Sequence, residues 1–260
     1  MPPAGCEAGE FSSPCSKILT YHIYSFNLSR MRRAKQLTFE DQRRRSGRGG
    51  PRPGAGRPRK MHGVVHHVRR DPLPIGCPAH VTLKVRSGIP SLRTRRMVRE
   101  FRGSLRRGCE RGEFRVVHYS LQRNHVHLIV EAAGKQALGR GMKSVAIRLA
   151  RAVNRVLRRT GPVLLGRYHV RALKTPREVR NALAYVLLNA RKHWKERTGK
   201  RAPVRLDEAS SGRWFTGWKR KPRGQTRGDP IRDVSAARSW LLRAGWRRYG
   251  LVDPAEVPGA

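Results

Sequence analysis

Residues 76–195 read as an α+β domain, with one antiparallel sheet laid down in the order β-α-β-β-α-β and a further helix behind it. Three observations predict this. Apolar and polar residues alternate over strand-length runs, two of which are joined by a link short enough for a hairpin. Other segments repeat their apolar residues every three or four positions for a dozen residues or more. Glycine or proline separates several of these segments.

The first strand spans 80–86, with Val81, Leu83 and Val85 on one face and His80, Thr82, Lys84 and Arg86 on the other. Beyond Gly88-Ile89-Pro90, Ser91 is placed to cap a helix running to about Gly108, with Val98, Phe101, Leu105 and Cys109 at helical spacing. Residues 114–121 form a second strand. The link Gln122-Arg123-Asn124 leads into a third, so the two make an antiparallel hairpin. Leu138, Met142, Val145, Leu149, Ala152 and Val156 mark a long helix from about Lys135 to Arg159, which Gly161-Pro162 breaks, and 163–174 read as the fourth strand. The order is that of a ferredoxin-like (RRM-like) sheet with two helices on one side. The additional helix has a well-marked start: Thr175 as N-cap, Pro176 at the first helical position and Glu178 completing a capping box. Its buried stripe is Val179, Ala182, Leu183, Val186, Leu187 and Ala190. Tyr185 and Asn189, one turn apart, border that stripe, and the helix is expected to end near Trp194.

The flanks differ from this core. Residues 1–75 read as a disordered basic arm rich in Arg, Gly and Pro, with 14 basic and two acidic residues between Arg30 and Arg70. Within it, Gly56-Arg57-Pro58-Arg59-Lys60 is similar to an AT-hook, which lays arginine into a narrow minor groove. Residues 196–260 read as a basic tail whose Trp214, Phe215, Trp218, Trp240, Trp246 and Tyr249 serve either to pin it to the domain or to stack on bases.

With 58 Lys and Arg against 17 Asp and Glu the chain carries a net charge of +41, so its expected partner is a polyanion. Arginine dominates, 46 to 12, which suits bidentate phosphate contacts. No Asp lies between Asp71 and Asp207, and the six glutamates there are scattered, which argues against a carboxylate-clustered two-metal nuclease. The four cysteines have neither paired nor metal-finger spacing. No apolar run reaches membrane-spanning length and the first 30 residues lack the pattern of a signal peptide, so a cytoplasmic location is expected.

The chemistry centres on Asn124-His125-Val126-His127-Leu128-Ile129-Val130. Alternation places both imidazoles on one strand face, about 7 Å apart along the chain, over an apolar opposite face. Such a pair is either a two-nitrogen metal site or two ordinary strand histidines. A helix laid across that face would bring the Tyr185 hydroxyl and the Asn189 amide to it, giving two neutral imidazoles, one carbonyl oxygen and a nucleophile. Tyr168 is a rival hydroxyl, and His118 and His193 are reserve ligands.

These motifs, with Ala184-Tyr185-Val186-Leu187-Leu188-Asn189, His80-Val81-Thr82-Leu83 and Gly166-Arg167-Tyr168-His169, resemble the single-tyrosine HUH transposases (IS200-like), and more narrowly the REP-associated tyrosine transposases. The resemblance implies cleavage and rejoining of single-stranded DNA near hairpin-forming repeats through a 5′-phosphotyrosine, in a monomer or homodimer. It also implies Tyr185 as nucleophile, His125, His127 and Asn189 as ligands, and Mg²⁺ or Mn²⁺ as the ion. Expected DNA contacts are Arg57 and Arg59 in the arm, Lys84, Arg86 and Arg167 beside the sheet, and a ridge of Arg148, Arg151, Arg155 and Arg158 on the long helix. The alternative is a non-enzymatic single-stranded DNA or RNA binder on an RRM-like sheet.

Overall fold

The computed structural model describes residues 70–200, 202–224 and 231–258, together with Thr38. Arg57, Arg59 and the AT-hook-like element lie outside the described residues. The elements are β1 (Ala79–Lys84), α1 (Arg95–Arg106), β2 (Glu110–Arg111), β3 (Phe114–Leu121), β4 (His125–Ala132), α2 (Lys135–Leu157), β5 (His169–Ala172), α3 (Pro176–Thr198) and a single-turn α4 (Trp240–Arg243). They form one antiparallel sheet of order β2-β3-β4-β1-β5. Setting aside the two-residue β2, this is the ferredoxin-like α+β plan expected from the sequence, with the histidine strand β4 between β3 and β1.

Local boundaries differ from expectation for identifiable reasons. Thr94 caps α1, its hydroxyl accepting from the Met97 N–H, while Ser91 accepts from the Arg93 N–H in the preceding turn. The fourth strand shrinks to β5, because Gly166 takes a positive φ of 66° that breaks the extended chain, leaving only a bridge between Val85 and Leu164. Helix α3 continues past Trp194 to Thr198, where Gly199 closes it in the left-handed conformation.

The sheet is covered on both faces. Val81, Leu83, Val126, Leu128 and Val130 face α1 and α2, in one core with Phe101, Leu105, Met142, Val145 and Leu149. Val117 and Ile129 belong to the other side, with Leu183, Val186 and Leu187 of α3. A β-bulge at Val117 shifts the β3–β4 register, so Phe114 and Val116 share their face with Tyr119 and Leu121 although the parity of the numbering changes between them. Helix α2 lies tight on the start of β3: a Cβ on Gly141 would fall 2.0 Å from the Phe114 ring.

Much of the C-terminal segment is built into the second core. Phe215, Leu242, Val252 and the almost fully buried Trp246 pack beside α3. Buried polar groups register it: the Asp233 carboxylate accepts from Tyr119 Oη (2.8 Å) and Trp214 Nε1 (2.6 Å), and Glu131 accepts from the Ser239 N–H (2.8 Å) at the start of α4. Trp240 and Tyr249 remain about half exposed. No helix of the described residues is long and apolar enough to cross a membrane.

His118 on β3 gives this interface a pH dependence. It is buried against the Phe215 ring, with Nδ1 3.1 Å from Ser211 Oγ, and burial pushes its pKa down to about 4. Between pH 4 and 6.5 the unfolded chain therefore binds a proton that the folded chain does not, so stability rises with pH through this window and is lost on acidification. Urea unfolding at pH 7 and pH 4.5 is expected to show His118→Gln losing about 2–3 kcal/mol less than the parent over that interval. An equal loss in both proteins would refute this origin.

Candidate active site

The site begins with pairing. In register, Thr82 on β1 lies opposite His127 and Lys84 opposite His125, so alternation on two adjacent strands puts His80, Thr82, Lys84, His125 and His127 on one face. The capped start of α3 sends this helix across that same face. There Tyr185, half-buried, sets its ring edge-on to His127 and His80, with centroids 5.1 and 5.8 Å away. Asn189 follows one turn later, completely buried, and neither its amide oxygen nor its amide nitrogen has a hydrogen-bond partner.

The two motif histidines converge: His125 Nε2 and His127 Nε2 are 2.9 Å apart. Their outer nitrogens face acceptors. His127 Nδ1 is 3.1 Å from both Thr82 Oγ1 and His80 Nε2, and His125 Nδ1 is 2.8 Å from Asn124 Oδ1. When both ring protons sit on Nδ1, as Asn124 Oδ1 favours for His125 and Thr82 Oγ1 permits for His127, two lone pairs point at each other across 2.9 Å, an arrangement that a shared cation relieves. That spacing is also what two nitrogens adopt at about 2.1 Å from one ion with a right angle between them. All three imidazoles are neutral at physiological pH. Burial is the leading cause, lowering His80 and His125 to about 4 and His127 to about 2, with neighbouring cationic and histidine side chains adding to it. The two neutral nitrogens fit a divalent ion, and the Asn189 amide, buried and unpartnered one turn beyond Tyr185, is a candidate for a further ligand. Among the described residues no group of three or more His, Cys, Asp or Glu is arranged to hold a metal. Burial, with Glu196 adding to it, raises the Tyr185 pKa, so the phenol keeps its proton until something at the site draws it off.

The other candidates fall in different places. Tyr168 packs at the edge of the core on the far side of the sheet, its ring under the Arg70 guanidinium at 3.8 Å. His193, one turn beyond Asn189, lies with its ring centroid 6.3 Å from that of His125. Lys84 and Arg86 are exposed at the end of β1 beside the histidines, whereas Arg167 precedes β5 and lines a basic hollow with Arg171 and Lys174. The arginine ridge is on α2, across the sheet from the histidines. There Arg155 pairs with Glu100 and Arg148 reaches the Ser104 carbonyl, so both bind α2 to α1, while Arg151 is exposed. His80 and Thr82 had no role assigned from sequence. The signal was present in the β1 alternation, but knowing that β1 pairs with β4 was needed to use it.

Residues 76–167, from just before β1 to just before β5, match the family described as "Transposase IS200 like". This part of the chain is similar to the IS200-like transposases. Among solved structures, similarity is found to a REP-associated tyrosine transposase bound to a REP hairpin, at a TM-score of 0.39 and 17% identity, over 50% of this chain and 74% of that one. No curated protein matches the chain. The matched segment contains both motif histidines and stops short of α3 and its tyrosine.

Proposed function

We propose that the protein is a DNA transposase that cleaves and rejoins single-stranded DNA at hairpin-forming repeats, with Tyr185 as nucleophile and a divalent ion, Mg²⁺ or Mn²⁺, held by His125, His127 and Asn189. The observation that carries this is the convergence of two neutral imidazole nitrogens, 2.9 Å apart, beneath the tyrosine-bearing helix. A bound ion would supply positive charge to the scissile phosphate. Thr82 and His80 fix the His127 ring from behind, and Asn124 fixes that of His125. Tyr185 Oη attacks phosphorus, forming the O–P bond as the P–O3′ bond breaks. One proton leaves the phenol and one is taken up by the departing 3′ oxygen. The 5′-phosphotyrosine conserves the bond energy, so a 3′-hydroxyl can reverse the step on a second strand. Exposed Lys84 and Arg86 would take flanking phosphates. The protein would act on cytoplasmic DNA, as monomer or homodimer.

The RRM-like alternative needs an open sheet face bearing aromatics. Here α3 and the C-terminal segment occupy that face around Val117 and Ile129. The direct test is incubation with a labelled single-stranded hairpin oligonucleotide and Mn²⁺, followed by denaturing electrophoresis. A covalent adduct that forms with metal and is lost in chelator supports the proposal, and its absence under both conditions overturns it. Asn189→Leu is expected to abolish the adduct while leaving urea stability unchanged or higher, because the amide it removes is buried without a partner. An active variant would exclude Asn189 as ligand.

A further inference from the structure

A groove of about 860 Å³ opens beside His125, walled by the C-terminal half of α3, the β3–β4 turn and residues 202–222. This is the size of pockets that hold a small molecule or a few of its units, about 300–1,000 Å³. Leu187 and Leu188 line it with apolar surface, and Trp194, 41% exposed, stands in its wall. Arg123 and Arg197 line it too. Five arginines and two carboxylates line the groove, Asp207 paired with Arg93 at 2.7 Å and Glu196 bonded to His193 at 2.8 Å, so the surface offered to a ligand is aromatic and on balance cationic.

We propose that this groove binds the unpaired DNA next to the scissile phosphate, one base stacking on Trp194 and the backbone running along Arg123 and Arg197. The inference rests on the strand-cleaving reading for its choice of DNA. The geometry supplies the rest, since a strand whose phosphate sits on His125 and His127 has this groove as its continuation, and an aromatic face with flanking arginines takes any unstacked base. Segment 202–222 thereby contributes a wall of the substrate channel, beyond what the matched residues 76–167 contain.

The test is fluorescence anisotropy of the full-length chain, without metal, on single-stranded dT12, rU12 and a blunt 12-base-pair duplex. Trp194→Ala is expected to weaken dT12 binding about tenfold and Trp194→Phe to restore most of it, with duplex affinity unchanged in both. The slope of log affinity against log salt is expected to stay as in the parent for Trp194→Ala, because stacking releases no counterions, and to flatten in Arg123→Ala/Arg197→Ala. Parental dT12 affinity in Trp194→Ala, an equal loss on the duplex, or tighter binding of rU12 than dT12 would overturn the proposal. A Trp194 effect in a protein that forms no covalent adduct leaves the groove standing and removes the cleavage reading. An adduct-forming protein with no Trp194 effect does the reverse.

Discussion

Replacing Tyr185 with phenylalanine is expected to eliminate the covalent protein–DNA adduct, a loss of at least about a thousandfold, as for other removed nucleophiles. The change deletes one oxygen. The ring remains edge-on to His127 and His80, and the buried stripe of α3 on either side, Leu183, Val186 and Leu187, is untouched. Thermal melting and single-strand affinity are therefore expected to match the parent, so that lost chemistry is separated from lost folding. Tyr168→Phe is the control: its ring lies under Arg70 on the other side of the sheet, and adduct yield should be unaffected. Adduct formation at the parental rate in Tyr185→Phe, or its loss in Tyr168→Phe, would move the nucleophile elsewhere.

His127→Ala is expected to abolish both Mn²⁺ binding, read by calorimetry, and adduct formation, because among the described residues no other side chain makes as many of the contacts that build the site. Its Nε2 meets that of His125 and its Nδ1 meets both Thr82 and His80. His125→Ala should lose metal comparably. Thr82→Ala, which only loosens the ring from behind, is expected to cost about 10–100-fold in metal affinity. That graded pattern distinguishes a metal centre from a patch of packed histidines, for which metal affinity would be negligible in the parent and all three variants. Because burial keeps His125 and His127 neutral down to about pH 4, proton competition at these two nitrogens should not weaken Mn²⁺ binding between pH 7 and 5.5. A tenfold loss over that range would place an ordinary, exposed histidine in the site instead.

The sequence by itself determined what is local. Alternation along β4 placed His125 and His127 on one face, the Thr175-Pro176-Arg177-Glu178 start fixed α3, and the four-residue spacing set Tyr185 and Asn189 a turn apart. Each of these follows from the geometry of a single element, which short-range periodicity reports. The tertiary structure alone decided which elements meet. Pairing of β1 with β4 brought His80 and Thr82 behind His127, and the bulge at Val117 switched the facing of β3 midway. The arginine ridge of α2 came to lie across the sheet from the histidines, where Glu100 and the Ser104 carbonyl engage two of its members. Residues 202–222 came to lie as a wall beside His125. In every such case the deciding energy is burial of apolar surface between segments far apart in the chain, such as Ile129 against α3 and Trp246 beside it, and no periodicity within one segment encodes its partner.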